Sequence, residues 1–457
     1  MGQVTPQRSN HLTNELVVVI LKARRQEMIL GVLTSIKARV LSDDMTRHGT
    51  IMVAFGLVAG LVNYLFQLTM GIMLTSAQYG TLYSLLSLLG IVSIFSSAIH
   101  TSVTKFASKF KAQGKLNMVN YLWRFSLKRS LLFGLAGFLV LSLLSPLISR
   151  FLNMDNYWYL IILLLSLIVT FVLAVNYGIL RGLQRFLPLG YSNVLNAIMK
   201  LSVAALLVYL GLGVYGGLLG LLIAGLIVLT VTRLFLKDLA GAGSEKVEIS
   251  GLHSYAGLTL LAIATFTVLT NIDVILVKHY LSPDITGNYS VIAVLGKIAL
   301  IAPGGIVIAM FPKTSELFET NSAHRPALLK AILLTLLLAG GAVMIYWLFS
   351  EFIVNFLFGD KYPLVTPYLF KYSIAMLLFA TSYVLMNYFL SLNQTKVAYS
   401  FVVAMLLQLS LIISFHSNIA QIVNIMVISG ALSVVLMLPF YLKMRRDHLR
   451  LLAAKSQ

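Results

Sequence analysis

The chain has 457 residues, of which 59% are hydrophobic and only 11% charged. Soluble globular domains average about 45–50% apolar and about 25% charged residues, so a water-dispersed fold is excluded and a membrane-embedded one is expected. The absence of cysteine excludes disulfides, thiol nucleophiles and Cys-based metal centres.

Residues 1–45 read as a basic cytoplasmic segment. Its apolar stretches Leu16–Leu21 and Met28–Leu33 are flanked by Lys22, Arg24, Arg25, Lys37 and Arg39. An amphipathic helix on an anionic leaflet fits this pattern, as does a leader without fixed structure or a chain starting at Met45. No cleavable signal peptide is expected.

Apolar runs follow at 50–74, 80–104, 127–149, 157–180, 192–211, 214–236, 255–279, 287–311, 327–350, 368–392, 396–416 and 419–442. Each is close to the ~20 residues that cross a hydrocarbon core about 30 Å thick. Backbone groups cannot stay unpaired in hydrocarbon, and the runs are too long and too uniformly apolar for barrel strands, so about twelve transmembrane helices are expected. A polar linker rich in Gly and charge lies around Asp238–Ser254.

The net charge of +19 is distributed by topology. The odd-numbered loops hold only Arg150, Lys278 and Lys361, whereas the loop between spans two and three alone holds Lys105, Lys109, Lys111, Lys115, Arg124, Lys128 and Arg129. By the positive-inside rule both termini are cytoplasmic, in a multi-pass protein of the cytoplasmic (inner) membrane. Nucleic acid is not an expected partner.

The sequence repeats once. Asn63, Gly80, Tyr83-Ser84 and Gly90 match Asn271, Gly287, Tyr289-Ser290 and Gly296 in order. Ser145-x-x-Ile148-x-x-Phe151-Leu152 matches Ser350-x-x-Ile353-x-x-Phe356-Leu357. Asn176-Tyr177 matches Asn387-Tyr388, and Tyr191-Ser192 matches Tyr399-Ser400. Six spans per half give both halves the same orientation, hence two six-helix lobes related by a pseudo-twofold along the membrane normal, at 46–240 and 241–445, with a basic tail at 446–457.

Ionisable groups inside spans are costly and point to a cavity or pathway. Asp273, within Thr270-Asn271-Ile272-Asp273, reads as an ion or proton site, as the counter-ion of a substrate-binding cation, or as half of an internal pair with Lys297 or Lys278. Lys297 and Lys200, both mid-span, suit phosphate or carboxylate oxygens. Lys371 lies near the outer end of span ten, and His100, followed by Lys105, towards the cytoplasmic end of span two. Gly211-Leu-Gly-Val-Tyr-Gly216 fits a dinucleotide fingerprint but joins two spans without a preceding strand, so a tight hairpin is expected. No Walker A sequence, HExxH, GxSxG or metal cluster occurs, and no cofactor or metal is expected.

Across 46–445 the chain resembles the oligosaccharide flippases (Wzx-like polysaccharide transporters) of the multidrug/oligosaccharidyl-lipid/polysaccharide (MOP) exporter superfamily. Thr270-Asn-Ile-Asp273-Val-Ile-Leu, Gly287-Asn-Tyr-Ser290, Met310-Phe311-Pro312 and Arg181-Gly-Leu-Gln184-Arg185-Phe186 carry the resemblance; His100-Thr-Ser-Val-Thr-Lys105 departs from it. It implies a MATE-like, all-α membrane fold around a basic cavity. The expected activity is flipping of an undecaprenyl- or dolichyl-diphosphate saccharide by alternating access, with no covalent chemistry. Asp273, Asn271, Lys297, Lys200, Lys371, His100 and Lys105 are the candidate contacts. Expected partners are the lipid-linked saccharide, membrane lipids, a coupling cation (H+ or Na+) and polysaccharide assembly enzymes. The competing expectation is a cation-coupled multidrug or metabolite antiporter on the same scaffold.

Overall fold

A computed structural model describes residues 44–241, 243, 257–301, 303–320 and 322–442. The basic segment before Asp44, most of the Asp238–Ser254 linker and the tail at 446–457 lie outside them. The chain divides into two compact units, Met1–Val58 and Ala59–Gln457. In the first, the described residues are helical. The second contains the remaining elements, and no strand occurs among the described residues.

The helices run α1 (Asp44–Met73), α2 (Ser76–Val92), α3 (Ile94–Ala112), α4 (Leu116–Leu143), α5 (Ser145–Phe151), α6 (Trp158–Gly182), α7 (Phe186–Leu207), α8 (Gly213–Phe235) and α9 (Lys237–Ala240). Beyond the linker come α10 (Gly257–Leu269), α11 (Ile272–Tyr280), α12 (Pro283–Gly296), α13 (Ile298–Ile301), α14 (Gly304–Glu319), α15 (Arg325–Phe358), α16 (Thr366–Ser391), α17 (Ala398–Ser414) and α18 (Ile419–Val435).

Among the described residues, eleven helical runs are long and apolar enough to cross a membrane. One of them, Phe186–Phe235, has 50 residues. At 1.5 Å per residue it would extend about 75 Å if straight, far more than a bilayer needs. Gly211 (φ 90°) and Gly213 (φ 52°) fold it back instead. The two legs then lie so close that a Cβ on Gly220 would sit 2.5 Å from Ala204 Cβ. The glycine-rich stretch is therefore the hairpin expected from sequence, and the runs make twelve crossings.

The repeat reappears in the backbone. Asn153 and Gly359 have positive φ within a residue of matching repeat positions, as do Gln184 and Asn393. The break between α4 and α5 before Ser145 has its counterpart in a kink at Phe349 within α15.

Polar side chains tie the helices of each half together, as expected where burial from water gives little drive to helix association. In the first half Trp123 Nε1 donates to Asn176 Oδ1 (2.9 Å), and Asn176 Nδ2 donates to Thr232 Oγ1 (2.9 Å), linking α4, α6 and α8. In the second, Thr314 pairs with Ser391 (2.6 Å) and Ser382 with Ser433 (2.6 Å). Gln408 Nε2 donates to Leu269 O (3.0 Å), joining α17 to α10.

The halves meet through α2 and α12 at the repeat-paired glycines. A Cβ on Gly80 would lie 2.8 Å from Gly287 N, and one on Gly287 would lie 2.1 Å from Ser76 O. Only hydrogen fits at either position. Further bonds join the halves on this same face, which carries the odd-numbered loops. Lys361 Nζ donates to the carbonyls of Gly71 (2.9 Å), Ile72 (2.8 Å) and Leu74. Tyr362 OH donates to Gly71 O (2.7 Å) and Ser76 Oγ to Asp284 O (3.1 Å). Asn153 Nδ2 donates to His279 O, and the His279 ring bonds the Phe151 carbonyl while stacking on the Phe151 ring at 4.0 Å.

Candidate substrate and ion site

Two interrupted helices build the site. Span seven, continuous in the sequence reading, breaks at Thr270–Asn271 between α10 and α11. Span eight breaks at Lys297 between α12 and α13. Non-helical backbone at membrane depth is tolerated where protein or a cavity surrounds it, and such breaks are where transporters hold ligands.

Asp273 lies in the first turn of α11, fully buried. Its Oδ2 accepts hydrogen bonds from Tyr289 OH and Tyr372 OH, both at 2.8 Å, while Oδ1 has no hydrogen-bond partner among the described residues. The start of a helix also favours negative charge. Gly296 makes room for one of the donors, since a Cβ there would lie 2.4 Å from the Tyr372 ring. The sequence reading allowed an ion pair of Asp273 with Lys297 or Lys278. The structure instead gives the carboxylate two tyrosine hydroxyls, and among the described residues the only salt bridges are Arg185–Asp238 and Lys313–Glu316.

Lys297, half-buried, donates to Asn271 Oδ1 at 3.0 Å and lies 5.5 Å from the centroid of the Tyr83 ring, which belongs to the first half. Lys200, also half-buried, donates to Asn63 Oδ1 and sits 4.6 Å from the Phe66 ring centroid. Asn63 and Asn271 are a repeat pair. Each turns its Nδ2 onto the carbonyl four residues back, Ala59 (2.8 Å) and Thr267 (2.9 Å) respectively, leaving its oxygen free to receive a lysine. The lysines come from unrelated positions, so the scaffold repeats the acceptor while each half supplies its own cation.

The other expected residues stand apart. Lys371 is exposed on α16, Lys105 is exposed on α3, and His100 is half-buried on α3 without a side-chain hydrogen bond among the described residues. Tyr289 and Tyr372 were not singled out from sequence as ligands. Tyr289 lies in the quoted Gly287-Asn-Tyr-Ser290 stretch, whereas nothing local marks Tyr372, 99 residues from the aspartate it contacts. No group of three or more His, Cys, Asp or Glu that could hold a metal occurs among the described residues.

Solved transporters share this architecture. An inward-facing multidrug resistance MATE family transporter of the MOP superfamily superposes with a TM-score of 0.72 at 13% identity, over 85% of this chain and 95% of that one. The lipid II flippase MurJ, in an inward closed conformation, matches with a TM-score of 0.62 at 15% identity, over 86% of this chain and 87% of its own. A MOP superfamily transporter from Pyrococcus furiosus matches at 0.62 and 14%, over 89% and 96%. At these identities the likeness concerns the fold alone, an all-helical membrane architecture that the chain shares with these transporters. Residues 73–367 match the family described as polysaccharide biosynthesis protein, and the chain belongs to that family. The resemblance to Wzx-like flippases read from the sequence is thereby borne out. No curated protein matches the chain by sequence.

Proposed function

We propose that the chain is a flippase that carries a lipid-linked oligosaccharide, a polyprenyl-diphosphate sugar, across the cytoplasmic membrane for cell-surface polysaccharide biosynthesis. Six-helix lobes at 46–240 and 241–445 rock about the site in alternating access, and the basic even-numbered loops and both termini lie on the cytoplasmic side. The observation that carries this reading is the pair of lysine–asparagine contacts at Lys200 and Lys297. Two compact ammonium groups held at membrane depth by neutral amides, neither in a salt bridge among the described residues, suit the oxygens of a diphosphate. A phosphate would take the place of the amide oxygen at little cost.

A second reading rests on a different atom. The Oδ1 of Asp273, without a hydrogen-bond partner among the described residues, is a place for a proton or Na+, and a cation-coupled antiporter would use it as its coupling site. In the flippase the same carboxylate couples an ion to lipid movement, or the membrane potential supplies about 2.3 kcal/mol per charge per 100 mV. Neither cycle includes a covalent step, and polysaccharide assembly enzymes are the expected neighbours of the flippase.

Deleting the gene in its host and measuring lipid-linked oligosaccharides on each membrane face tests the proposal. Build-up on the cytoplasmic face, relieved by the wild type but poorly by Asp273→Asn and Lys297→Ala, is the expected result. Unchanged lipid-linked pools with new sensitivity to cationic dyes would replace the flippase with the antiporter.

A further inference from the structure

The segments that leave the two halves on the even-loop face occupy repeat-related places but are equipped differently. Span six runs into α9, where Leu236 and Leu239 are buried, and on to Gly243. There Asn120 of α4 donates from Nδ2 to Gly243 O (3.3 Å), and a Cβ on Gly243 would lie 3.5 Å from Asn117. Asp238 pairs with Arg185 on the way. The departing chain is thus laid over the start of α4 and held by an amide and an ion pair.

The second half repeats this course with other side chains. Beyond α18, Met437 is buried and Phe440 meets Phe389 of α16 at 6.1 Å. Tyr441 comes under Arg325 of α15, with 6.0 Å from guanidinium carbon to ring centroid. On the spacing that matches Ser145 with Ser350, Arg325 takes the place of Asn120. Beside it His324 bonds Tyr388 OH (2.7 Å), and Phe318 of α14 faces the His324 ring at 6.1 Å. Arg325 is half-buried, and its Nη2, shut off from solvent, has no hydrogen-bond partner among the described residues. Glu316 pairs with Lys313, and no salt bridge joins Arg325 to it or to Glu319. Arg325 also opens α15, where the helix dipole adds positive potential and no acidic residue stands in the first turn. A buried donor left without a partner is costly, more so when charged, and a carboxylate or phosphate oxygen would satisfy it.

The place of Arg185 falls, within a residue, on the uncharged Gln394 in the second half. The ion pair that fixes the first departing segment therefore has no counterpart at that position. Residues 443–457 contain one acidic side chain, Asp447, six residues past Tyr441. Six residues reach about 9 Å as helix and up to about 20 Å extended, so Asp447 comes within range of Arg325 on either course.

We infer that the segment 443–457 docks on the start of α15 with the Asp447 carboxylate on Arg325, as the linker docks on the start of α4 through Gly243. The contact ties the end of span twelve to the start of span nine, and it stands whichever substrate the chain carries. The rival occupant of Arg325 is the phosphate of an anionic phospholipid.

Because the chain has no cysteine, spin labels at Glu319→Cys and Ala453→Cys report the position of the segment in the full-length chain. In phosphatidylcholine vesicles the wild-type background should give one narrow distance distribution. Arg325→Gln and Asp447→Asn should each lower the ratio of docked to free segment by about tenfold, the loss of one charge-assisted contact. The two together should do no more than either alone. The swapped pair Arg325→Asp/Asp447→Arg should restore the narrow distribution; a loss that the swap repairs is a loss of pairing, not of fold. A broad distribution in the wild type, or a narrow one that survives either single variant, would overturn the docking. Order that appears only when phosphatidylglycerol is added and survives Asp447→Asn would give Arg325 to a lipid phosphate and overturn it as well.

Discussion

The odd-loop and even-loop faces of the membrane unit are held in different ways. On the odd-loop face the halves touch through backbone: Gly80 against Gly287, Ser76 on Asp284, and the Lys361 ammonium seated on the last carbonyls of α1. A cation on the orphan carbonyls of a helix C-terminus satisfies both hydrogen bonding and the helix dipole. Towards the even-loop face, several bonds run within a half, while Asn120 Nδ2 reaches Gly243 O (3.3 Å) where the linker begins. Lys111 Nζ caps α6 through Leu183 O (3.0 Å) and Gln184 Oε1 (2.7 Å), and Arg185 clamps Phe235 O (2.8 Å) and Asp238. One face is a seam between halves, and the other keeps each half rigid by itself. A transporter that must open one face without unfolding needs this division, with cohesive bonds inside each half and exchangeable ones between them.

The largest effect in breaking that contrast belongs to Gly287→Ala. Its Cβ would meet a backbone oxygen that cannot move aside, so closure of the odd-loop face should lose about 3 kcal/mol, the upper end of overpacking costs. Gly305→Ala, with nothing within 4 Å, should be neutral or slightly stabilising. Because the chain has no cysteine, spin labels at Asp155→Cys and Asp284→Cys report this face directly. Gly287→Ala should lengthen their distance and Gly305→Ala should leave it unchanged.

Next in size is Lys361→Met combined with Tyr362→Phe. It removes the charge-assisted bonds to α1 and should shift the same distance distribution by about 2–3 kcal/mol, on the order of a hundredfold in population. An unchanged distribution would mean that the glycine contact alone holds the seam.

The smallest effect sharpens the other side of the comparison. Hydrogen bonds from Arg185 hold the Asp238 carboxyl below the usual carboxylate range. A lowered folded value means that the pair's contribution is complete above the carboxyl's ordinary titration near pH 4. It is lost as the pH falls through the lowered folded value. Both groups are partly or largely exposed, so screening limits the contribution to about 0.5 kcal/mol. Asp238→Asn should cost that little in thermal stability at pH 7 and progressively less as the pH falls below the carboxyl's ordinary titration, without changing the odd-loop distance.

Much of this architecture was legible in the sequence because it is periodic and local. Hydropathy marked the spans, the repeat paired Asn63 with Asn271 and Gly80 with Gly287, and Asp273 and Lys297 stood out as charges in apolar runs. The helix breaks at Asn271 and Lys297 were not legible, since no proline or glycine pair interrupts span seven and its hydropathy is continuous. Tyr372 escaped because its role depends on a helix from elsewhere in the chain approaching Gly296. Lys361 looked like an ordinary loop cation; its three carbonyl acceptors lie in α1 and the turn after it, almost 300 residues away, and only the fold brings them together.

The most direct measurement is lipid flipping by the purified chain in proteoliposomes. A lipid-linked oligosaccharide placed on one leaflet is followed by its accessibility to an added glycosidase. The wild type should move it between leaflets, and Lys297→Ala with Lys200→Ala should slow that movement by at least about tenfold while leaving the Asp155–Asp284 distances intact. Movement by the double variant at the wild-type rate would contradict the central claim that these two lysines receive the diphosphate.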